Sequence, residues 1–175
     1  TTLIAGEMAM PDSTVFAAFP TCLPLIAARG FAAIPLVAKS DIHARGTGND
    51  LLTYARLLRI TAPGDTLVFD GSHIFDSVWR TIVEKRLRGI WIRRGLWRAS
   101  QIGRPNQRRE AIFNKVIVPG EAFEELNDVL SFGDHVHSVG PIVQRADGDR
   151  ATLRKRLAEV TGVAFDRLVV TMLGA

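Results

Sequence analysis

The chain has 175 residues, of which 47% are hydrophobic, and its 22 Lys and Arg residues against 18 Asp and Glu residues give a formal net charge of +4. This length and composition suit one well-buried core with part of a second, and they exclude a disordered protein. The single cysteine, Cys22, excludes an intramolecular disulfide and fits a reducing compartment. The longest apolar runs are far shorter than the roughly 20 residues that a membrane span needs.

The first forty residues are predicted to alternate between helix and strand. We expect the end of a helix at residues 1–10 and a strand at residues 14–18. A short helix is expected at residues 21–28 and a second strand at residues 31–37. Pro11 is expected to stop the first helix and Gly30 to end the second. Pro35 favours an edge position or an early end for the second strand.

A polar loop and a longer helix follow. Residues 39–48 are polar and contain glycine, a composition typical of a loop. Asn49 is expected to cap the helix, and Pro63 and Gly64 to close it. The predicted buried face of this helix consists of Leu51, Tyr54, Ala55 and Leu58.

Residues 65–98 contain the pattern of one βαβ unit. Residues 66–69 form a continuous apolar run, which is typical of a strand buried on both faces of a parallel sheet. We expect a turn at residues 70–73, a helix that Gly89 ends, and a second buried strand at residues 90–92. The predicted buried face of the helix consists of Ile74, Val78, Ile82 and Val83.

The alternation continues to the end of the chain. After a polar loop through Arg109, we expect strands at residues 115–118, 135–139 and 168–173. We expect helices at residues 121–130 and from residue 149 onward. This order predicts an α/β fold, a Rossmann-like parallel sheet with helices on both faces. A polar linker at residues 144–149 predicts a first domain at residues 1–143, and residues 144–175 as the linker and start of a second.

The positive charge is concentrated in one segment. Between Arg80 and Glu110, ten Lys or Arg residues stand against two acidic residues, a local charge of +8. Such a segment could bind the phosphates of a nucleotide sugar, an anionic lipid surface or a nucleic acid. Alternatively, much of it is the solvated face of the helix that extends to Arg88.

Candidate site residues lie where two predicted parallel strands end. Ligands of open α/β sheets bind outside the carboxyl ends of the strands, and two loops occupy that position here. The sequence lacks the usual signatures of phosphate-binding loops, serine hydrolases and metal sites. The candidates are Asp70, Gly71, Ser72 and His73 on the first loop, and Arg93, Arg94 and Trp97 on the second.

Each of these loops has a chemical interpretation and a structural alternative. His73, beside Asp70, could transfer a proton or bind a substrate, or it could be an ordinary turn histidine. The guanidinium groups of Arg93 and Arg94 suit phosphates, and Trp97 suits the face of a sugar or a base. Solvated arginines and a tryptophan packed beneath the loop are the alternative.

A histidine pair further along the chain is not expected to bind metal. His135 and His137 are two residues apart on a predicted strand and share one face, a spacing that is compatible with a metal ion. No third ligand is near them in the sequence, so a structural role is favoured and no metal site is predicted.

The order of short motifs along the chain carries a family resemblance. The motifs are VFDGSH, IWIRRGLW, KVIVPGE and HSVGPIV, followed after the linker by DRATLRKRLAE and LVVTMLGA. This order resembles the bacterial GT-B glycosyltransferases, in particular the lipid-linked N-acetylglucosaminyltransferases and related nucleotide-sugar transferases. The resemblance implies that residues 1–143 are an acceptor-side domain without its first strand, and that Gly174 begins a donor diphosphate loop in a second domain. It assigns no catalytic residue, because the usual position of the base would precede Thr1.

The function implied by the resemblance is an inverting transfer of a sugar from a nucleotide diphosphate sugar to an acceptor, without a cofactor or metal. The implied partners are the nucleotide sugar, a glycosyl acceptor such as a lipid-linked one, and an anionic membrane surface, with a cytoplasmic location at the inner membrane face. A chain without the first strand of the acceptor-side domain and without the donor domain is expected to be inactive alone. The sheet edges that the absent strand leaves unpaired predict self-association. The alternative is a non-catalytic doubly wound domain whose basic segment binds an anionic lipid or a nucleic acid; of these two, nucleic acid is the less expected.

Overall fold

The chain divides into a larger and a smaller compact unit, Thr1–Ile142 and Val143–Ala175. The structure is a computed structural model, and it describes residues 11–37, 48–93, 108–120, 133–142 and 149–164. In these ranges, no helix combines the length and the apolar character that crossing a membrane requires.

The described residues of the larger unit form two parallel sheets. Strands β1 (Val15–Ala18) and β2 (Ala32–Pro35) form the smaller one. The larger one has the strand order β3 (Thr66–Gly71), β4 (Arg88–Arg93), β5 (Lys115–Pro119) and β6 (Val136–Val139), and all neighbours in it run parallel. The predicted α/β class with a parallel sheet is therefore confirmed. β2 ends at Pro35, in agreement with the early end that this proline predicts.

Helices flank the sheets in the described part of this unit. They are α1 (Leu23–Ala27), α2 (Gly48–Ile60) and α3 (Asp76–Lys85), with short 3-10 turns at Pro11–Ser13 and Pro20–Cys22. The turn after α1 reaches Gly30, whose φ of +77° is a left-handed conformation that glycine adopts readily.

The core lies where α2 and α3 meet strands β4 and β5. Its members, which are at most 6% exposed, are Leu57, Ile74, Val78, Ile82, Trp91, Phe113, Val116 and Val118. Burial of each large apolar side chain contributes about 1.5–3 kcal/mol to folding. Three of the four residues predicted for the buried face of α3 belong to this core, whereas Val83 is 53% exposed, so that part of the prediction is wrong.

Strand β3 differs from its prediction in position and in length. It lies at the edge of the four-stranded order, and Val68 is 41% exposed, so burial on both faces is wrong. The strand also continues through Asp70 and Gly71, which pair with Ile92 and Arg93 of β4. The predicted turn therefore begins only after Gly71, because backbone pairing with β4 holds these two residues extended.

Helix α2 buries a different face from the predicted one. Leu51 is 52% exposed, whereas Asp50, Thr53 and Leu57 are buried. The helix already begins at Gly48, so Asn49 lies inside it rather than capping it. Hydrophobic periodicity misses this face because two of its three buried residues are polar.

Helix α3 ends earlier than predicted and without a glycine. Arg86 adopts a left-handed conformation with φ 52°, and the amide of Leu87 donates to Ile82 O at 3.0 Å. This bond, with the Arg86 amide donating to Val83 O at 3.3 Å, satisfies helix carbonyls in the Schellman pattern. The buried Leu87 side chain accounts for a left-handed arginine, since it anchors the turn in the core.

Gly89, the predicted helix end, is instead part of β4. A Cβ atom there would lie 3.0 Å from Phe113 Cδ1 and 3.2 Å from Ile82 Cδ1. The glycine therefore allows α3 and the residues before β5 to pack closely over the strand.

The described part of the smaller unit is one helix, α4 (Arg150–Thr161). The helix begins where it was predicted to begin, and Asp149 caps it, with Oδ1 accepting from the amides of Ala151 at 2.8 Å and Thr152 at 3.0 Å. None of its residues is buried, and Val160 is 81% exposed. The elements predicted at residues 1–10, 39–47, 121–130 and 168–173 lie outside the described residues.

Candidate functional site

The first candidate loop begins at the carboxyl end of β3. Asp70 and Gly71 are the last residues of the strand, and Ser72 and His73 follow as exposed residues. His73 Nδ1 lies 3.1 Å from Ser72 Oγ, within hydrogen-bond distance. Two neighbouring polar side chains are thus accessible at the carboxyl ends of the strands, where ligands of open α/β sheets bind.

The backbone before this pair is held by a buried tryptophan. Trp91, in β4, is 1% exposed, and its Nε1 donates to Gly71 O at 2.8 Å. Its ring packs against Phe113, with ring centroids 5.8 Å apart. Ser72 and His73 therefore follow a fixed strand end, and a rigid support of this kind suits a binding loop.

Arg93 is buried and ion-paired at the end of β4. It is 3% exposed, and its Nη1 donates to Oε2 of Glu110, which is 2% exposed, at 2.8 Å. Burial lowers the pKa of Arg93, and the charge and hydrogen bond of Glu110 oppose that shift. The pair joins the end of β4 to the residues that precede β5. Glu110 thus neutralises the charge of Arg93, which the sequence suggested for phosphate binding.

Arg109 has a similar structural role beside the first loop. Its Nη2 donates to Asp76 Oδ1 at 2.7 Å, and its Nη1 donates to Ile74 O at 3.2 Å. Asp76 Oδ1 also accepts from Nε1 of Trp79 at 3.2 Å. These bonds tie the segment before β5 to the start of α3, directly after Ser72 and His73.

The N-terminus of α3 lies at the same edge and is already faced by carboxylates. Asp50, which is 5% exposed, accepts from the amide of Ser77 at 3.3 Å, and Asp76 lies in the first turn. Helix N-termini favour negative charge, and here the chain supplies it from its own side chains. A phosphate at this helix end would have to approach two carboxylates.

The described basic residues between positions 80 and 110 are divided between the two ends of the strands. Arg86 and Arg88 are exposed near the start of β4, at the amino edge of the sheet, whereas Arg93 and Arg109 are paired at its carboxyl edge. Arg80 is exposed on α3. A ligand at the carboxyl edge therefore meets only part of the charge that the sequence concentrates here.

Several predicted site residues lie outside the described ranges. These are Arg94, Trp97 and Gly174. Of the histidine pair, His137 lies in β6 and pairs with Ile117, and His135 directly precedes the strand. The described residues contain no group of three or more His, Cys, Asp or Glu side chains that could hold a metal ion.

Three acidic residues that shape this edge were missed by sequence reasoning. They are Asp50, Asp76 and Glu110, each of which accepts a hydrogen bond that fixes a strand end or a helix start. Glu110 offered a signal, because it is one of only two acids in the strongly basic segment. Asp50 and Asp76 offered none beyond their helix N-terminal positions.

The comparisons with known proteins identify no relative. No protein-family model matches the chain, and neither a curated protein nor a solved structure matches it.

Proposed function

We propose that this chain is the acceptor-side part of a GT-B glycosyltransferase, which transfers a sugar from a nucleotide diphosphate sugar to a hydroxyl-bearing acceptor. The observation that carries the proposal is the arrangement of the chain in two units. A parallel α/β unit ends at Ile142, after the HSVGPI segment, and a separate unit containing a capped helix follows. GT-B enzymes combine two α/β domains in one chain, so the change from one unit to another after this segment supports the resemblance of the motifs.

The carboxyl ends of β3 and β4 form the proposed acceptor surface. Ser72 and His73 are accessible there, and together they offer a hydroxyl and an imidazole that can bind sugar or acceptor hydroxyl groups. The backbone directly before them is held by Trp91 through Gly71 O, which reduces the ordering that acceptor binding requires. Arg94 and Trp97, which follow β4 in the chain, are proposed to extend this surface.

The other requirements of the reaction fall outside this edge. Sugar transfer needs a base for the acceptor hydroxyl and positive groups for the departing diphosphate. The carboxylates at the start of α3 make that helix end unsuitable for the diphosphate, so we assign the donor to the second domain, with Gly174 in its phosphate loop. The proposed location is the cytoplasmic face of a membrane, where a lipid-linked acceptor would be reached.

The test is transferase activity of the longer polypeptide encoded by the parent gene. Release of nucleoside diphosphate would be measured with a panel of nucleotide sugars and lipid-linked or soluble acceptors. We expect His73→Ala and Ser72→Ala to raise the KM for the acceptor about tenfold, the value of one lost hydrogen bond, and the 175-residue chain alone to be inactive.

A matched control is available on the same strand. Thr66 is exposed at the opposite end of β3, so Thr66→Ala should leave the KM unchanged. Absence of turnover with every donor, or equal KM values for the His73 and Thr66 variants, would contradict the proposal.

A further inference from the structure

Two phenylalanine rings flank the loop that carries Ser72 and His73. Phe69 lies in β3, before the loop, and Phe75 directly precedes α3, after it. Their ring centroids are 5.7 Å apart and their planes meet at 81°, which is an edge-to-face contact. Both residues are half-buried and pack against the core. The loop therefore begins and ends at one aromatic pair, and part of that pair is accessible.

Gly71 allows the Phe69 ring to reach the end of the strand. Residues two apart in a strand share a face, so a side chain at position 71 would lie beside that ring. A Cβ atom there would be 3.1 Å from Phe69 Cζ and 3.2 Å from Phe69 Cε1. Gly71 does not have a positive φ, so its backbone conformation does not require glycine. The close approach of the ring does, and the ring leans toward the carboxyl end of β3.

Side-chain hydrogen bonds hold the loop at both of its ends. Trp91 Nε1 donates to Gly71 O at 2.8 Å, and Arg109 Nη1 donates to Ile74 O at 3.2 Å. Between these fixed points lie two accessible polar side chains, beside the two rings. Apolar surface with a few fixed polar groups is the usual composition of a small-molecule site.

The charges around this loop favour an uncharged ligand. Arg93 and Arg109 are paired with Glu110 and Asp76, and Asp50 accepts from an amide at the start of α3. A phosphate at this position would approach carboxylates, whereas its attraction to the two arginines is already offset by their partners.

We propose that Phe69 and Phe75, together with Ser72 and His73, form a subsite for the uncharged pyranose ring of an acceptor sugar. The C–H groups on one face of a pyranose carry partial positive charge and suit the negative face of an aromatic ring. The Ser72 hydroxyl and the His73 imidazole bind the hydroxyl groups of that sugar. The inference deepens the proposed function, and it rests on that function for the role of the sugar as acceptor.

An NMR titration of the 175-residue chain with four ligands tests the proposal. The ligands are methyl glucoside, methyl N-acetylglucosaminide, glucose 1-phosphate and uridine. We expect the amide resonances of Ser72 and His73 to shift with a methyl glycoside, and the affinity for glucose 1-phosphate and uridine to be at least about tenfold lower. No shift with either glycoside, or tighter binding of uridine or of the sugar phosphate, would overturn the proposal.

Substitution of the rings provides a second measurement. Phe69→Leu and Phe75→Leu keep an apolar side chain but remove the flat ring, so each should lower the affinity for the glycoside about fivefold. Phe31→Leu is the matched control, because Phe31 is buried in an edge-to-face pair with Phe16 at the smaller sheet. Unchanged affinity in both ring variants, or an equal loss in the Phe31 variant, would show that the rings only support the fold.

Two glycines give a further comparison that leaves the rings unchanged. Gly71→Ala should displace the Phe69 ring and lower the affinity about fivefold, whereas a Cβ atom at Gly140 meets no atom within 4 Å, so Gly140→Ala should have no effect. The indole N–H resonance of Trp91 reports whether the bond to Gly71 O, and with it the fold, is retained. Equal affinities of the two glycine variants would contradict the proposal.

Activity of the longer polypeptide separates this inference from the proposed transfer. Turnover with an acceptor KM that Phe69→Leu and Phe75→Leu leave unchanged would overturn the subsite and leave the transferase assignment in place. Binding of a methyl glycoside that depends on these rings, without turnover of any nucleotide sugar, would support the subsite and contradict the transferase. The four-ligand titration of the unchanged chain decides the point even where a variant does not fold.

Discussion

Arg93 and Arg109 show how individual charges can serve folding at a place where a ligand site was expected. Both belong to a segment with a local charge of +8, yet each donates to a carboxylate of the chain, Glu110 or Asp76. The Arg93 pair is almost inaccessible to solvent. In such a pair the cost of removing two charges from water is offset by their attraction only while both partners are present.

This dependence gives a prediction for the buried pair. Arg93→Ala leaves the Glu110 carboxylate buried without the opposite charge of Arg93, and we expect a loss of about 3–5 kcal/mol in the free energy of unfolding, measured by urea denaturation. The double variant Arg93→Met with Glu110→Leu should lose less stability than the sum of the losses in the single variants Arg93→Met and Glu110→Leu, because it removes both charges. Arg108→Ala, at an exposed neighbouring position, is the control and should change stability by less than about 0.5 kcal/mol. Additive losses would show that the pair does not act as a unit.

At the scale of elements, the contact between α2 and α3 is unusually polar for a helix interface. Thr53, Ser77 and Thr81 are completely buried there, and Asp50 caps α3 from the neighbouring helix. At the exposed margin, the hydroxyl of Tyr54 donates to the Glu84 carboxylate, and this hydrogen bond raises the pKa of Tyr54. Small polar residues let the two helices pack closely, but their hydroxyl groups must find partners.

Two threonines of this interface allow a matched test. Thr81 Oγ1 donates to Ser77 O at 2.7 Å, whereas Thr53 Oγ1 has no hydrogen-bond partner among the described residues. A buried hydroxyl without a partner costs about 1–3 kcal/mol, so Thr53→Val should stabilise the fold by about 1 kcal/mol. Thr81→Val removes a satisfied bond and should not stabilise it. Urea denaturation of both variants decides the point, and an equal change in the two would contradict this explanation.

The N-cap of α4 predicts a pH dependence at the same scale. Hydrogen bonds from Thr152 and Ala151 lower the pKa of Asp149 below its usual value. A lowered pKa means that the cap is fully effective above the unfolded-state pKa and is lost as the pH falls through the folded-state value. We therefore expect the amide resonance of Thr152 to shift with the titration of Asp149 at acidic pH. Asp149→Asn, which keeps a capping side chain, should remove the titration and retain the helix; a titration that persists in it would assign the effect elsewhere.

For the whole molecule, the sequence predicted well the order of those elements that the structure describes, and it predicted their burial less well. Continuous apolar runs located β4 and β5 because both strands are interior, but the same pattern misassigned β3, whose exposure depends on which strand lies beside it. The buried face of α2 was missed because Asp50 and Thr53 are polar, and hydrophobic periodicity does not detect buried polar residues. Ser72 and His73 were located by a general rule for strand ends, whereas the ion pair of Arg93 depends on a residue 17 positions away.

The sequence also predicts that the whole molecule binds to anionic membranes. The structure reduces the number of arginines that are expected to contact the lipid. Arg93 and Arg109 are paired within the fold, so the prediction now concerns Arg94, Arg98 and Arg104 of the same segment. Each arginine near anionic lipid contributes about 1 kcal/mol, so replacing all three by Ala should weaken binding to vesicles with 30% phosphatidylserine by about 100-fold.

The amino edge of the sheet provides the control for this experiment. Arg86 and Arg88 are exposed there, away from the carboxyl ends of the strands, so the double variant Arg86→Ala with Arg88→Ala should bind these vesicles as the unchanged protein does. Binding should also fall between about 0.05 and 0.5 M NaCl, since salt screens exposed charges. Equal binding to neutral vesicles, or an equal loss in the triple and the double variant, would assign the basic segment to another partner or to solvent. A loss confined to the triple variant would instead place the membrane at the carboxyl edge, beside Ser72 and His73, where a lipid-linked acceptor would have to enter.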